Sequence, residues 1–290
     1  MRLAYINLKG GLGNQLFIFA RSLAIKEKGF VIFFDISSYK LDIHKRIPQI
    51  EIIKKLFPNS KVVKSGSILK KTIKLLKKFR LISSLTDNKK TYSRLGILKN
   101  LIFVDGYFQK YKYPKIYKFK IYDSIKSVLE DRYGKNLERE LKVKRKVSLH
   151  IRKGDYVKYI NIYGLSKKNY YLKSIEILKN KYKLSEDDIA VFSESKEEQL
   201  LKDLNLKIET NYEIHNDELL QILIMANHSF HVISNSTYAW WAAFLRKNNK
   251  KTENFCICPY PWKLQENLVN KEIYYPEWRL IKNALTASNE

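Results

Sequence analysis

His150, Arg152, Lys153, Gly154 and Asp155 stand within six positions, directly after the run Val147-Ser148-Leu149, which alternates like a strand entering a core. Ligands of open α/β sheets gather beyond the carboxyl ends of the strands, so a strand running into such a cluster points to a site. Arg152 offers a planar fork of donors for a phosphate, and Gly154 lets the backbone approach a ligand closely. Asp155 could serve as a base beside Arg152, and His150 would titrate near neutrality if exposed. The same string also suits a solvated surface turn, with Asp155 bonding N–H groups of its own turn.

Two further stretches carry polar groups at strand ends. Ser193-Glu194-Ser195 follows an expected strand at 188–192, and Asn235-Ser236-Thr237 lies between an expected strand at 230–234 and a helix bearing Trp240 and Trp241. A helix start presents unpaired N–H groups and the positive end of its dipole, which favour phosphate. Capping of the helix by Ser236 or Thr237 explains those hydroxyls equally well. With Arg152 neutralising a pyrophosphate and Glu194 accepting N–H bonds from a base or ribose, the three strand ends suit a nucleoside diphosphate. Glycosyl transfer from such a donor needs leaving-group stabilisation and a base for the incoming hydroxyl. The chain has no D-x-D pair to hold a divalent metal, so a cationic side chain would do that work.

The elements that must position these groups alternate along the chain. Leu3-Ala4-Tyr5-Ile6 reads as a strand, followed by the glycine-rich stretch Lys9 to Gln15, a helix over 16–28 and a strand over 31–35, which together form a βαβ unit. Gly11-x-Gly13 lacks the third glycine of a dinucleotide fingerprint, so a nicotinamide cofactor is rejected; the loop still admits a ligand to its backbone, with the Asn14 amide nearby. A basic amphipathic helix over 67–81 suits either packing on its own domain or an anionic lipid surface. Tyr107, Phe108, Tyr111 and Tyr113 suit either core or a sugar-stacking platform. A charged helix over 124–146 leads to the central cluster, and the boundary between two domains, 1–146 and 147–290, is drawn at its end.

Composition bounds the rest. A chain of 290 residues, 45% of them hydrophobic, can bury two cores. Its net charge of +26 first suggests nucleic acid, but lysine far outnumbers arginine and is spread along the whole chain. No zinc-finger spacing, aromatic RNP-like run or basic heptad region is present, so no nucleic-acid partner is expected. Cys256 and Cys258 share one face of a strand and are expected to be reduced, in a cytoplasmic protein. The start does not resemble a signal peptide, and the longest apolar runs are too short to span a bilayer.

Gly10-Gly11-Leu12-Gly13-Asn14-Gln15-Leu16-Phe17, His150-Ile151-Arg152-Lys153-Gly154-Asp155-Tyr156 and Asn235-Ser236-Thr237-Tyr238-Ala239-Trp240-Trp241 together resemble the three signatures of bacterial α-1,2-fucosyltransferases, glycosyltransferase family 11. The set, in this order, spans nearly the whole chain. The resemblance implies a GT-B fold of two Rossmann-like domains facing a cleft, a GDP-fucose donor, inversion, and no required metal or other cofactor. It implies a terminal galactose as acceptor, on a surface polysaccharide or a lipid-linked precursor at the inner membrane face.

By position, Arg152 matches the arginine on the donor pyrophosphate. His150, Lys153, Glu194, Asn235, Ser236 and Thr237 line the donor pocket, and Gly13 and Asn14 reach it from the acceptor-side domain. Arg152, Asp155 and His150 are the catalytic candidates. Three departures stand out: Lys153 replaces a second arginine, Glu194-Ser195 replaces two aspartates, and His228 and Phe230 replace the usual residues before the last strand. Transfer of another activated sugar, or a non-catalytic glycan- or lipid-surface-binding protein, remains the competing reading.

Overall fold

The computed structural model describes residues 1–64, 68–79, 81–87, 90–91, 100–195, 197–207, 212–213, 216–246, 255–265, 271–282 and 284–287. The chain forms two compact units, Met1–Arg132 and Tyr133–Glu290.

The first unit runs β1 (Arg2–Asn7), α1 (Leu12–Lys26), β2 (Phe30–Asp35), α2 (Ile50–Leu56), β3 (Lys61–Val63), α3 (Ile68–Lys78), β4 (Ser83–Leu85), β5 (Lys90–Thr91), β6 (Leu101–Val104) and α4 (Lys112–Tyr133, broken at Tyr117). Its sheet has the order β3-β2-β1-β6-β4-β5 and is parallel except for β5. α1 begins at Leu12, four residues before the expected start at 16, so Gly13 and Asn14 lie in its first turn. Leu16, Phe17, Phe19, Ala20 and Leu23 of α1 are buried, and Phe19, Phe34 and Phe57 meet as an aromatic trio with centroids 5.0–6.3 Å apart. Burial of each such ring stabilises the unit by roughly 1.5–3 kcal/mol. The end of α4 is tied to α2 by the Arg132–Glu51 and Lys55–Asp131 ion pairs.

The second unit runs α5 (Leu137–Glu140), β7 (Val147–Ile151), α6 (Ile160–Tyr163), β8 (Leu165–Ser166), α7 (Lys168–Tyr182), β9 (Ile189–Ser193), α8 (Glu198–Asp203), β10 (Tyr212–Glu213), α9 (Glu218–Ala226), β11 (Phe230–Val232), α10 (Thr237–Leu245), β12 (Phe255–Pro259), β13 (Arg279–Ile281) and β14 (Leu285–Thr286). Residues 133–146 pack with it: the Tyr133 hydroxyl donates to Asp217, and Asn227 Nδ2 donates to the Leu141 carbonyl at 2.8 Å. The main sheet, β10-β9-β7-β11-β12-β13, is parallel throughout, and β8 pairs antiparallel with β14. Every residue of β7 and β9 is buried, as befits strands covered on both faces. α10 is buried almost all round, with the Trp240 indole N–H donating to the Ile273 carbonyl at 2.7 Å. Cys256 and Cys258 are free and buried in β12. Taken one at a time, the two units are the Rossmann-like α/β domains that the sequence implied.

Among the described residues, no helix is long and apolar enough to cross a membrane.

Candidate functional site

The register of the second sheet decides which charges meet. Ile151 of β7 pairs with Ser193 of β9, so the next residues, Arg152 and Glu194, leave the sheet side by side. Their side chains form an ion pair, and the Arg152 guanidinium lies over the Tyr156 ring, 5.0 Å from its centroid. Lys153 Nζ is 2.7 Å from a Glu197 carboxylate oxygen. Gly154 turns the chain with φ +31°, and a side chain there would run into the Glu194 carboxylate. The positive φ favours glycine, and any side chain there would have to push the Glu194 carboxylate aside.

On the other side of β7, β11 pairs Val232 with Leu149, which brings the loop after β11 to the same sheet edge. His150 Nδ1 is 2.8 Å from Ser234 Oγ. His150 is buried, and desolvation, reinforced by the Arg152 charge, lowers its pKa to about 3. It is therefore a neutral imidazole near pH 7, not the exposed, neutrally titrating group that the sequence allowed. Asn235 Nδ2 donates to the carbonyls of Tyr163 and Gly164 at 2.9 and 3.2 Å, and the Asn235 backbone carbonyl accepts from the Tyr156 hydroxyl. Tyr156 and Tyr163 stack with centroids 4.8 Å apart. Arg152, Tyr156, Tyr163 and Asn235 thus form one connected wall.

Ser236 is the N-cap of α10, yet its side chain makes no capping bond, and the first turn holds no acidic residue. α9 differs: Asp217 caps it through the N–H groups of Leu219 and Leu220. The uncapped start of α10, with Ser236 and the half-buried Thr237, lies at the strand end beside β7. Two cations, a hydroxyl pair and a positive helix end there make an arrangement suited to a polyanion. Each cation is matched by a carboxylate, which an incoming phosphate would have to displace.

The structure therefore brings together His150, Arg152, Lys153, Glu194, Asn235, Ser236 and Thr237. The side chain of Asp155 lies outside the described residues. Gly13 and Asn14 belong to the first unit: Asn14 Oδ1 accepts from Gln109 Nε2 at 2.8 Å, and Gly10, at φ +82°, turns its carbonyl toward the Gln15 amide and the Tyr39 hydroxyl. Of the aromatic run after β6, Tyr107, Tyr111 and Tyr113 are half-buried. Phe108 is buried, Arg21 lies 4.5 Å from the Tyr113 centroid, and Lys9 lies 5.0 Å from that of Tyr107. His228 is also a packing residue, bonded to the Ile224 carbonyl and edge-on to Phe192. Tyr163 and Glu197 were not singled out in the sequence, and Tyr156 was quoted in the central motif without a role, although Tyr156 and Glu197 follow Gly154 and Glu194 by only two and three positions. Among the described residues, no three His, Cys, Asp or Glu side chains converge so as to hold a metal ion.

Comparison with known families decides the class of protein. The sequence profile of glycosyl transferase family 11 matches residues 3–282. The chain belongs to this family. It is a glycosyltransferase, and its match runs through both Rossmann-like units. An alpha-1,2-colitosyltransferase of Escherichia coli is 26% identical over 282 residues, covering 92% of this chain and 95% of that protein. The O-antigen biosynthesis glycosyltransferase WbnK of Escherichia coli is 26% identical over 298 residues, covering 89% of this chain and 94% of the relative. Among solved structures, the E. coli ADP-heptose LPS heptosyltransferase II covers 97% of this chain and 90% of its own, with TM-score 0.46 and 11% identity.

Proposed function

We propose that this glycosyltransferase moves L-fucose from GDP-fucose, with inversion, to the 2-hydroxyl of a terminal galactose on a surface glycan or its lipid-linked precursor. The observation that carries the reading is the meeting of Arg152, Glu194 and Asn235 at adjacent strand ends, beside the uncapped start of α10. The leaving group is a nucleoside diphosphate, so charge builds on the pyrophosphate as the glycosidic bond breaks. Arg152 and Lys153 neutralise it, and the N–H groups and hydroxyls at Ser236 and Thr237 add donors. No metal or other cofactor has a part in this scheme.

Donor binding exchanges the Glu194 carboxylate on Arg152 for phosphate, and Glu194 turns to N–H groups of the base. His150, neutral and held on Ser234, positions the Arg152 backbone rather than moving a proton. Asp155 is the proposed base for the acceptor hydroxyl. Gly13 and Asn14, at the start of α1, are the first unit's own candidates for ligand contact. The enzyme works on the cytoplasmic side, at the inner membrane face where a lipid-linked acceptor would stand.

The similarity to an alpha-1,2-colitosyltransferase supports an α-1,2 linkage and also favours a second donor, a colitose nucleotide. Colitose is fucose without its 3-hydroxyl. A pocket built to bond that hydroxyl rejects the deoxy sugar strongly, because its own polar groups are left unpaired. The test compares GDP-fucose with GDP-colitose on galactose-terminated acceptors, with the product linkage read by NMR. We expect fucose to be preferred by at least about a hundredfold in kcat/KM, with a 1→2 linkage. The reverse preference makes the chain a colitosyltransferase, and no turnover of either moves the reading to another activated sugar.

A further inference from the structure

Helix α3 uses one face to join its own unit and leaves a second apolar line uncovered. Ile73 is 1% exposed and, with Leu76, packs on Tyr5, Val63, Ile82 and Phe103. Lys77 lies over the Phe103 ring, 4.3 Å from its centroid. That packing would account for an ordinary surface helix, yet Ile68, Leu75 and Phe79 are 83%, 57% and 60% exposed. At about 100° per residue these three fall within about 40° of one another, in a single stripe along the outer side of the helix. Lys71, Lys74 and Lys78, all exposed, run in a second line beside it. The chain carries no acidic residue between Glu51 and Asp87.

We propose that this outer stripe docks on an anionic lipid bilayer. The helix would lie parallel to the surface, with Ile68, Leu75 and Phe79 at the boundary of headgroups and acyl chains. Lys71, Lys74 and Lys78 would then sit on lipid phosphates. A second copy of the chain is a poorer occupant, because pairing two such stripes would oppose two lysine rows on a segment, 52–86, that carries no acidic residue. The inference does not depend on which sugar is transferred, and its test does not use activity.

The experiment is co-sedimentation of the full chain with vesicles of phosphatidylcholine alone or mixed with phosphatidylglycerol. We expect binding to the mixed vesicles only, weakening as salt rises. Leu75→Ser with Phe79→Ser should reduce partitioning at least about tenfold, at unchanged melting temperature, since both side chains are exposed. The triple variant Lys71→Gln, Lys74→Gln, Lys78→Gln should lose the same preference for anionic lipid and serves as the check if the first variant misfolds. Failure of the wild type to bind mixed vesicles, or equal binding by both variants, overturns the proposal. So does a wild-type dimer in sedimentation velocity that Leu75→Ser with Phe79→Ser converts to monomer.

Discussion

In each unit the third strand of the main sheet, β1 or β7, leaves into a turn that bears a glycine at positive φ, but the two turns carry different chemistry. After β1 the turn carries one charged side chain, Lys9. Lys9 pairs with Asp105 at 2.7 Å, Gly10 gives its carbonyl to Gln15 and Tyr39, and Asn14, in the first turn of α1, is engaged by Gln109. After β7 the turn carries Arg152 and Lys153, each matched by a carboxylate from the β9 side. One topology thus yields two kinds of opening. The first holds a single paired cation, whereas the second presents two adjacent cations beside a helix start, an arrangement better suited to a pyrophosphate.

The sharpest way to break that comparison is to remove charge from one turn and a neutral amide from the other. Arg152→Ala should lower kcat at least about a hundredfold, as loss of a charge-stabilising donor does. Asn14→Ala, which removes neutral hydrogen bonds, should cost less than about tenfold in kcat/KM. Steady-state kinetics on both variants decides the matter. Equal losses would mean that the two turns share the work.

Acid separates the units next. His150 and His228, both buried in the second unit, have folded pKa values lowered to about 3 and about 4, chiefly by desolvation. In the unfolded chain they titrate near 6.5, so between these values the unfolded state binds more protons and stability falls as pH falls. Each should cost about 2 kcal/mol at pH 5 relative to pH 7, and less near pH 6. Denaturant melts at the two pH values measure the loss. His150→Gln, with no proton to gain, should flatten its share.

The smallest effect contrasts two glycines. Gly154→Ala meets the Glu194 carboxylate at φ +31°, whereas an added methyl at Gly11 finds the Arg46 side chain no nearer than 3.8 Å. We expect Gly154→Ala to cost about 1–2 kcal/mol in a denaturant melt and Gly11→Ala to be near neutral. Equal costs would remove the steric claim at Gly154.

Much of this was legible in the sequence, for physical reasons that also explain the misses. Strands buried on both faces read as apolar runs, so β1, β2, β7 and β9 could be placed closely. The start of α1 was set too late because glycine reads as a breaker, although Gly13 fits inside the first turn. The helix expected at 124–146 in fact runs Lys112–Tyr133: Pro114 sits in its first turn, where the missing N–H costs nothing, and lysines hide the apolar side made by Tyr117, Ile121 and Ile125. Arg152, Glu194 and Asn235 stood out as polar residues at strand ends. Their pairing did not, because the meeting of Arg152 with Glu194 depends on the register of Ile151 with Ser193. His150 looked free to titrate only because sequence does not tell how deeply both faces of β7 are covered.

The most direct test of the central claim is calorimetric titration of the purified protein with GDP, GDP-fucose and UDP, in the presence of chelator. The account predicts that GDP and GDP-fucose bind with chelator present, that UDP does not, and that Arg152→Ala abolishes the binding while leaving the melting temperature close to wild type. GDP binding unchanged in a folded Arg152→Ala protein would contradict it.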